Sequence, residues 1–373
     1  MVGRRHTIYL VPGFFGFANL GELRYFGHVH PALVRACRAH GIAADVRVVR
    51  THPTASLRLR AVRVVEAMAA GAGPMHLVGH STGGLDARLV TSPGVSLPTG
   101  HDVEALARRV RTVITVAAPH YGTPLASPLT GLVGRRLLQV LSLSTIYVLR
   151  FGRLPLSAVL ALGAAFARLD RHLGVNSALL DQLFGELLDD FSPGRRRAIG
   201  ALFAAVARDQ ALLLQVTAEG MDVFNATTRD RPGVRYGAVV TRARRPGLGS
   251  TLAAGLDPSA QATHALYQAL YRLAARTPPG RVPPLARGQA SALRRAYGRV
   301  PGAEENDGVV PTRSQVWGDV IHAARADHHD VLGHFDDPQH VPPHFDWLAT
   351  GTGFDRTAFE ALWEDVARWI AGV

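Results

Sequence analysis

Short apolar runs rich in β-branched residues alternate with longer segments of helical periodicity through the first third of the chain. A continuous apolar run fits a strand buried on both faces, and the helical spacing fits an amphipathic helix that covers a sheet. This alternation predicts an α/β fold with a doubly wound, mostly parallel sheet. The predicted strands cover residues 6–11, 44–49, 75–78 and 112–116, and the predicted helices cover residues 31–40 and 56–70.

The pattern changes after Pro128, where Leu and Ala recur at helical spacing without a strand-like run. Helices inserted into a sheet protein pack on its rim, so we predict a helical cap or lid over residues 129–214. The remaining segments, 1–128 and 215–373, would form the core. A helical insertion that only shields the sheet is the alternative.

Strand-like and helix-like segments return in the last part of the chain. We predict strands at 236–242, 309–310 and 316–321, and a helix at 262–275. The longest apolar stretches, 137–149 and 154–167, are shorter than the roughly 20 residues of a transmembrane helix, so no transmembrane segment is predicted. Residues 7–11 are too short an apolar run for a signal-peptide core, and a cytoplasmic location is expected, with secretion left open.

The net charge of +12 would ordinarily suggest nucleic acid or an anionic membrane as a partner. All 41 basic residues are arginine, however, and they are dispersed along the chain. We therefore interpret them as solvated surface residues and predict no nucleic-acid partner. The single cysteine, Cys37, excludes an intramolecular disulfide.

A G-x-S-x-G element at residues 79–83 lies directly between a predicted strand and a helix-like segment. Glycines at both ends of this motif let the backbone turn sharply and expose a serine hydroxyl at the end of the strand. The motif alone is common in Gly-rich turns. Its context predicts that Ser81 is a nucleophile.

A serine nucleophile needs a base and a carboxylate that orients the base. Asp307 precedes a turn and the short apolar pair 309–310, and His328 follows in a polar loop. His328 competes for the role of base with other histidines nearby, namely His329, His334, His340 and His344. Imidazoles beside aspartates could also bind zinc or calcium, but no H-E-x-x-H or cysteine spacing accompanies them, and we interpret most as loop and surface residues.

The oxyanion of an acyl-transfer intermediate needs two backbone donors. The residue after the nucleophile, Thr82, would supply one, and the Gly-rich loop after the first strand would supply the other, with Phe14 as the predicted donor. A Gly-rich connector that packs Phe14 against the helices is the alternative.

These segments together resemble the bacterial triacylglycerol lipase and esterase branch of the α/β hydrolases. The matching segments follow the order of that family along the chain and cover residues 10–16, 79–84, 118–126, 217–225, 306–310 and 327–330. The resemblance implies an α/β-hydrolase fold, Asp307 as the acid, and His328 as the base because the family histidine lies two residues before an aspartate. That aspartate is Asp330, a candidate ligand of a structural calcium.

The resemblance implies a serine esterase or lipase that forms an acyl-enzyme, requires no cofactor and acts on acyl esters or lipids, with transient contact to a lipid interface. An acyltransferase with the same three residues is an alternative. A non-catalytic protein of this fold that binds a lipid or a partner is another, although the presence of Ser81, Asp307 and His328 in the expected order argues against it.

Overall fold

The computed structural model describes residues 5–14, 25–151, 154–170, 177–209, 211–253, 255, 257–346 and 348–373. Six strands alternate with helices along the chain. The strands are β1 His6–Val11, β2 Ala44–Val48, β3 Met75–His80, β4 Val110–Val116, β5 Arg235–Thr241 and β6 Asp319–Ala324. Every neighbouring pair is parallel, which confirms the predicted α/β fold with a doubly wound parallel sheet.

Helices cover both faces of this sheet. In the first part of the chain they are α1 Val29–Ala39, α2 Leu57–Ala69, α3 Thr82–Thr91 and α4 Val103–Ala107. Side chains of β1 alternate between the faces, as the two-residue period of a strand requires. Ile8 and Leu10 join the apolar cluster that contains α1, whereas Tyr9 and Val11 join the cluster that contains α2 and α3.

The strand order is β2-β1-β3-β4-β5-β6. The chain leaves β1 toward one edge of the sheet and leaves β3 toward the other, so a crevice opens between the carboxyl ends of β1 and β3. Ligands of open α/β sheets bind at such a switch point. The loop that begins at Pro12 and the turn at Ser81 both lie there.

The region between β4 and β5 is helical, as the periodicity predicts. Its helices are α5 Ala126–Leu129, α6 Leu132–Phe151, α7 Leu156–Asp170, α8 Ser177–Asp189, α9 Pro193–Arg208, α10 Ala211–Gln215 and α11 Ala218–Thr227. Their apolar core includes Leu137, Leu162 and Phe166. The division of the chain at residues 129 and 214 remains a prediction.

The last part of the chain adds α12 Leu248–Ala253, α13 Pro258–Ala274, α14 Arg287–Tyr297 and α15 Arg356–Ala371. Helix α13 packs against α7, and its residues Leu266 and Tyr267 belong to the same apolar cluster as α6 and α7. Helix α15 places Trp363 in the cluster that contains α1. No helix in the described part of the chain is long and apolar enough to cross a membrane.

The predicted strand at residues 309–310 is wrong. Residues 307–310 form a bend, closed by an isolated antiparallel bridge between Asn306 and Pro311. The backbone N–H groups of Val309 and Val310 donate to Asp307 Oδ1 at 2.9 and 2.7 Å, so they do not form a sheet ladder. The apolar character of Val310 reflects its burial. The final strand also begins later than predicted, at Asp319.

Candidate active site

Ser81 occupies the turn between β3 and α3. Its φ of 53° and ψ of −129° lie outside the regions that residues with a side chain ordinarily adopt. Two backbone hydrogen bonds hold this conformation, from Ser81 N–H to the Val116 carbonyl at 2.8 Å and from Gly84 N–H to the Ser81 carbonyl at 3.0 Å. Strained residues of this kind persist where the surrounding structure fixes them, which is common at active sites.

The glycines of the motif are required by close backbone approach. A Cβ on Gly79 would lie 2.3 Å from the Gly83 carbonyl group, and a Cβ on Gly83 would lie 2.2 Å from the Val11 carbonyl oxygen. The loop after β1 also passes close to the serine, since a Cβ on Gly13 would lie 2.7 Å from Ser81 Cβ. The motif therefore packs the serine turn directly against the loop that follows β1.

Asp307 and His328 are in direct contact, with 2.8 Å between Asp307 Oδ2 and His328 Nδ1. Both residues are buried. Their backbones are also joined, because His328 N–H donates to the Asp307 carbonyl at 3.0 Å. A carboxylate only accepts hydrogen bonds, so Nδ1 carries a proton and Nε2 of a neutral His328 is left as the acceptor.

The carboxylate of Asp307 has polar partners at both oxygens. Oδ1 accepts from the two backbone N–H groups of the bend described above. In addition to His328, Oδ2 accepts from the Thr241 hydroxyl at 2.8 Å and from Gln315 Nε2 at 3.1 Å. These donors replace the water that a buried carboxylate has lost, and they fix its orientation toward His328. Sequence reasoning missed Thr241 and Gln315.

His80, the residue before Ser81, connects the histidine loop to the loop after β1. Its Nε2 lies 2.9 Å from the His328 carbonyl and its Nδ1 lies 2.7 Å from the Tyr25 hydroxyl. The His328 carbonyl only accepts hydrogen bonds, so the proton of neutral His80 is on Nε2 and Nδ1 accepts from the Tyr25 hydroxyl. Burial lowers the pKa of His80 well below its usual value. Tyr25 in turn accepts from Gly13 N–H at 3.2 Å. Sequence reasoning missed both residues, although the position of His80 inside the motif was a signal.

Ser81 and His328 line one cavity of about 120 Å³. Phe14 and Thr82, the predicted oxyanion donors, line it as well. Thr82 is the first residue of α3, where a backbone N–H has no partner within the helix. Residues 15 and 16 of the matching loop lie outside the described residues. The rest of the lining is largely apolar, with leucines from the helical region and from α13: Leu129, Leu138, Leu141, Leu213 and Leu270.

The remaining candidate residues lie around the histidine loop. His329 and His334 also line the cavity, but the Asp307 carboxylate contacts His328. Asp330 Oδ2 accepts from Asp327 N–H at 2.8 Å and from the Thr352 hydroxyl at 2.9 Å.

Burial and the nearby charge of Asp327 raise the pKa of Asp330 well above its usual value. A cation would relieve the repulsion among Asp327, Asp330 and Asp346, but calcium takes six to eight oxygen ligands. Among the described residues, the carboxylates of these aspartates do not converge as a group of three within 4.8 Å. Calcium at Asp330 remains a prediction.

No protein-family model matches this chain, and no curated protein matches it by sequence. Solved structures do match it. EstA from Clostridium botulinum is 16% identical over 100% of this chain and 88% of its own, with a TM-score of 0.52. Lipase 1 from Pelosinus fermentans is 16% identical over 99% of both chains, with a TM-score of 0.50. At this identity the likeness shows the fold, and the chain has the α/β-hydrolase fold.

Proposed function

We propose that this protein is a serine carboxylic-ester hydrolase that acts through an acyl-enzyme. The observation that carries the proposal is the contact between Asp307 and His328 at one wall of a cavity that Ser81 also lines. A nucleophile, a base and an orienting carboxylate in this chain order are the set that acyl transfer by a serine needs. One of the similar structures, lipase 1 from Pelosinus fermentans, is named as a lipase, which agrees with this reaction class.

In the proposed reaction His328 Nε2 removes the Ser81 proton while the serine oxygen attacks the ester carbonyl carbon. The backbone N–H groups of Phe14 and Thr82 stabilise the resulting oxyanion. The imidazolium then donates the proton to the departing alcohol, and an acyl-Ser81 ester remains. Water, deprotonated by the same imidazole, attacks the acyl carbon, and collapse of the second intermediate releases the acid and returns the proton to Ser81. Asp307 stays ionised throughout and stabilises the imidazolium.

The apolar cavity supports an acyl group as the part of the substrate that is buried. Its volume of about 120 Å³ is below the roughly 300–1,000 Å³ of typical ligand pockets, so this conformation accommodates a short acyl chain. Longer chains would require the leucine-rich helices to separate. Helix α7 also exposes Leu156 and Leu160, which lie one turn apart on the same face, and we assign this face to transient contact with a lipid interface.

Hydrolysis of p-nitrophenyl acyl esters of increasing chain length tests the proposal. We expect Ser81→Ala and His328→Ala to lose activity by about 10⁶-fold, or to the background rate. His329→Ala is the matched control, because His329 is a neighbouring, half-buried imidazole that lines the same cavity. Wild-type rates in Ser81→Ala would refute the mechanism, and hydrolysis restricted to short chains would support the small cavity.

A further inference from the structure

A chain of hydrogen bonds joins the three segments that form the proposed active site, and Tyr25 lies in the middle of it. Tyr25 belongs to the turn before α1, and its side chain lines the same cavity as Ser81 and His328. Its hydroxyl contacts both Gly13 and His80. The proposed reaction uses no atom of Tyr25, so these contacts require a separate explanation.

The direction of each hydrogen bond in this chain is fixed. A backbone N–H only donates, so the Tyr25 oxygen accepts from Gly13 at 3.2 Å. The Tyr25 proton is donated to His80 Nδ1, 2.7 Å away, and His80 Nε2–H donates to the His328 carbonyl. Because both ends of the chain are backbone groups with one possible role, the Tyr25 hydroxyl is needed as an acceptor and as a donor.

The same hydroxyl packs closely against the loop after β1. A Cβ on Gly13 would lie 3.0 Å from the Tyr25 hydroxyl oxygen and 3.1 Å from the His80 carbonyl oxygen, in addition to its overlap with Ser81. Gly13 is therefore enclosed between the tyrosine and the serine turn. Phe14 follows Gly13 directly, so the position of the Phe14 backbone N–H depends on these contacts.

The ring of Tyr25 is itself held in place by apolar contacts. It meets the ring of Phe26 edge to face, with 4.8 Å between the centroids. Phe26 is buried in the apolar cluster that also contains residues of α1 and α15, and Tyr25 packs against this cluster. A hydroxyl carried by an anchored ring cannot follow a moving loop as a water molecule can, so it restricts the loop that donates to it.

We propose that Tyr25 is a positioning residue that holds the loop after β1 in the geometry that the oxyanion requires. This inference rests on the proposed function, which assigns the Phe14 N–H to the oxyanion. Backbone donors stabilise an oxyanion best at about 2.7–3.1 Å, and a displacement of about 1 Å can lower a rate by about 100-fold. The Tyr25 proton is already donated to His80, so Tyr25 acts through Gly13 and not by donating to the ester.

Tyr25→Phe tests this role, because it removes the hydroxyl and keeps the ring. We expect kcat for a soluble short-chain p-nitrophenyl ester to fall by about 10- to 100-fold while KM stays within about threefold of wild type, since the donors shift and the acyl cavity does not. Rates are divided by the concentration of Ser81 that a fluorophosphonate labels at completion, so inactive protein does not contribute. Circular dichroism verifies that the variant is folded.

Tyr236→Phe is the matched control, because the Tyr236 hydroxyl is bonded in the same pattern at the other end of the sheet. Its oxygen accepts from Arg231 N–H at 2.8 Å, and its proton is donated to the Thr91 hydroxyl at 3.3 Å. Tyr236 is the second residue of β5, whereas the proposed active site lies at the carboxyl ends of the strands. Tyr236→Phe should lower the melting temperature and keep the wild-type kcat.

Inhibitor binding separates stabilisation of the oxyanion from a general effect on the fold. The carbonyl carbon of a short-chain alkyl trifluoromethyl ketone bonds to the Ser81 oxygen, and the ketone oxygen becomes an oxyanion. The corresponding alkyl alcohol occupies the cavity without this reaction. Tyr25→Phe should weaken inhibition by the ketone by about the factor that it lowers kcat/KM, and it should leave inhibition by the alcohol unchanged.

A wild-type kcat in folded Tyr25→Phe would overturn the proposal, as would a rise in KM at unchanged kcat. Equal losses of kcat in Tyr25→Phe and Tyr236→Phe, or a fall in kcat with unchanged inhibition by the ketone, would also refute it. In each of these outcomes the wild-type chain still hydrolyses the ester, so the proposed function stands. A wild-type chain that hydrolyses no ester would instead refute the proposed function, and the positioning role with it.

Discussion

Asp307→Asn provides a sharp test of the proposed active site, because it changes one atom and nearly preserves the shape of the side chain. In the native chain Oδ1 accepts from two backbone N–H groups and Oδ2 faces His328 Nδ1. An asparagine must keep its oxygen toward the backbone donors, since its NH₂ group cannot accept from them. The NH₂ group then faces His328 and donates to Nδ1.

This inversion moves the imidazole proton to Nε2, where the base needs a lone pair. We expect kcat/KM for a p-nitrophenyl ester to fall by about 10⁴-fold, which corresponds to about 5 kcal/mol of transition-state stabilisation. The amide also faces Gln315 Nε2, which donates to the carboxylate in the native chain, so the free energy of unfolding should fall by about 1–3 kcal/mol.

Steady-state kinetics and thermal unfolding of the same preparations separate these effects. Asp319→Asn is the control, because this aspartate is exposed at the start of β6, and its rate and stability should match wild type. A folded Asp307→Asn variant whose rate stayed within tenfold of wild type would refute the role of Asp307 as the orienting carboxylate.

Three further substitutions test the hydrogen bonds of His80, a buried ion pair, and the face of α7 that we assign to a lipid interface. His80→Phe leaves the His328 carbonyl and the Tyr25 hydroxyl without their imidazole partner, so thermal or chemical denaturation should show a loss of about 1–3 kcal/mol; unchanged stability would contradict this network. Asp86→Ala leaves the buried Arg60 guanidinium without its carboxylate and should cost about 3–5 kcal/mol in urea unfolding, and a cost below 1 kcal/mol would mean that water reaches the pair. Leu160→Ser should slow hydrolysis of emulsified triacylglycerol but not of a soluble short ester, and equal effects on both substrates would remove α7 from the lipid interface.

The inner strands of the sheet were predictable from sequence because they are buried on both faces. Every residue of β3 is buried, and its apolar residues Met75, Leu77 and Val78 stand out from the helical periodicity around them although His76 lies between them. The pair Val309 and Val310 misled the same reasoning. A strand and a buried bend both require apolar residues, and which of them forms depends on whether a carboxylate or a neighbouring strand accepts the backbone N–H groups.

The proposed nucleophile, base and acid were identifiable because motif and chain order constrain them. Their supporting residues were not. His80 acts on a carbonyl 248 positions later in the chain, and the Thr241 hydroxyl reaches a carboxylate 66 positions away. Such partners are ordinary polar residues in local sequence, and only the assembled fold gives them a role.

The histidine loop is restrained mainly through its backbone, and this bears on how the proposed base is positioned. The N–H of His328 is bound to the Asp307 carbonyl, its own carbonyl is bound to His80, and Asp327 Oδ1 accepts from the N–H groups of the two residues after His328. With the backbone fixed on both sides, the imidazole keeps little freedom beyond side-chain rotation, which Asp307 limits in turn. A base restrained in this way loses its conformational entropy when the chain folds, so this entropy is not lost again in each reaction cycle. Loosening this loop should therefore lower kcat more than it raises KM, because in the proposed reaction the acyl group of the ester is held by the leucine side chains of the cavity.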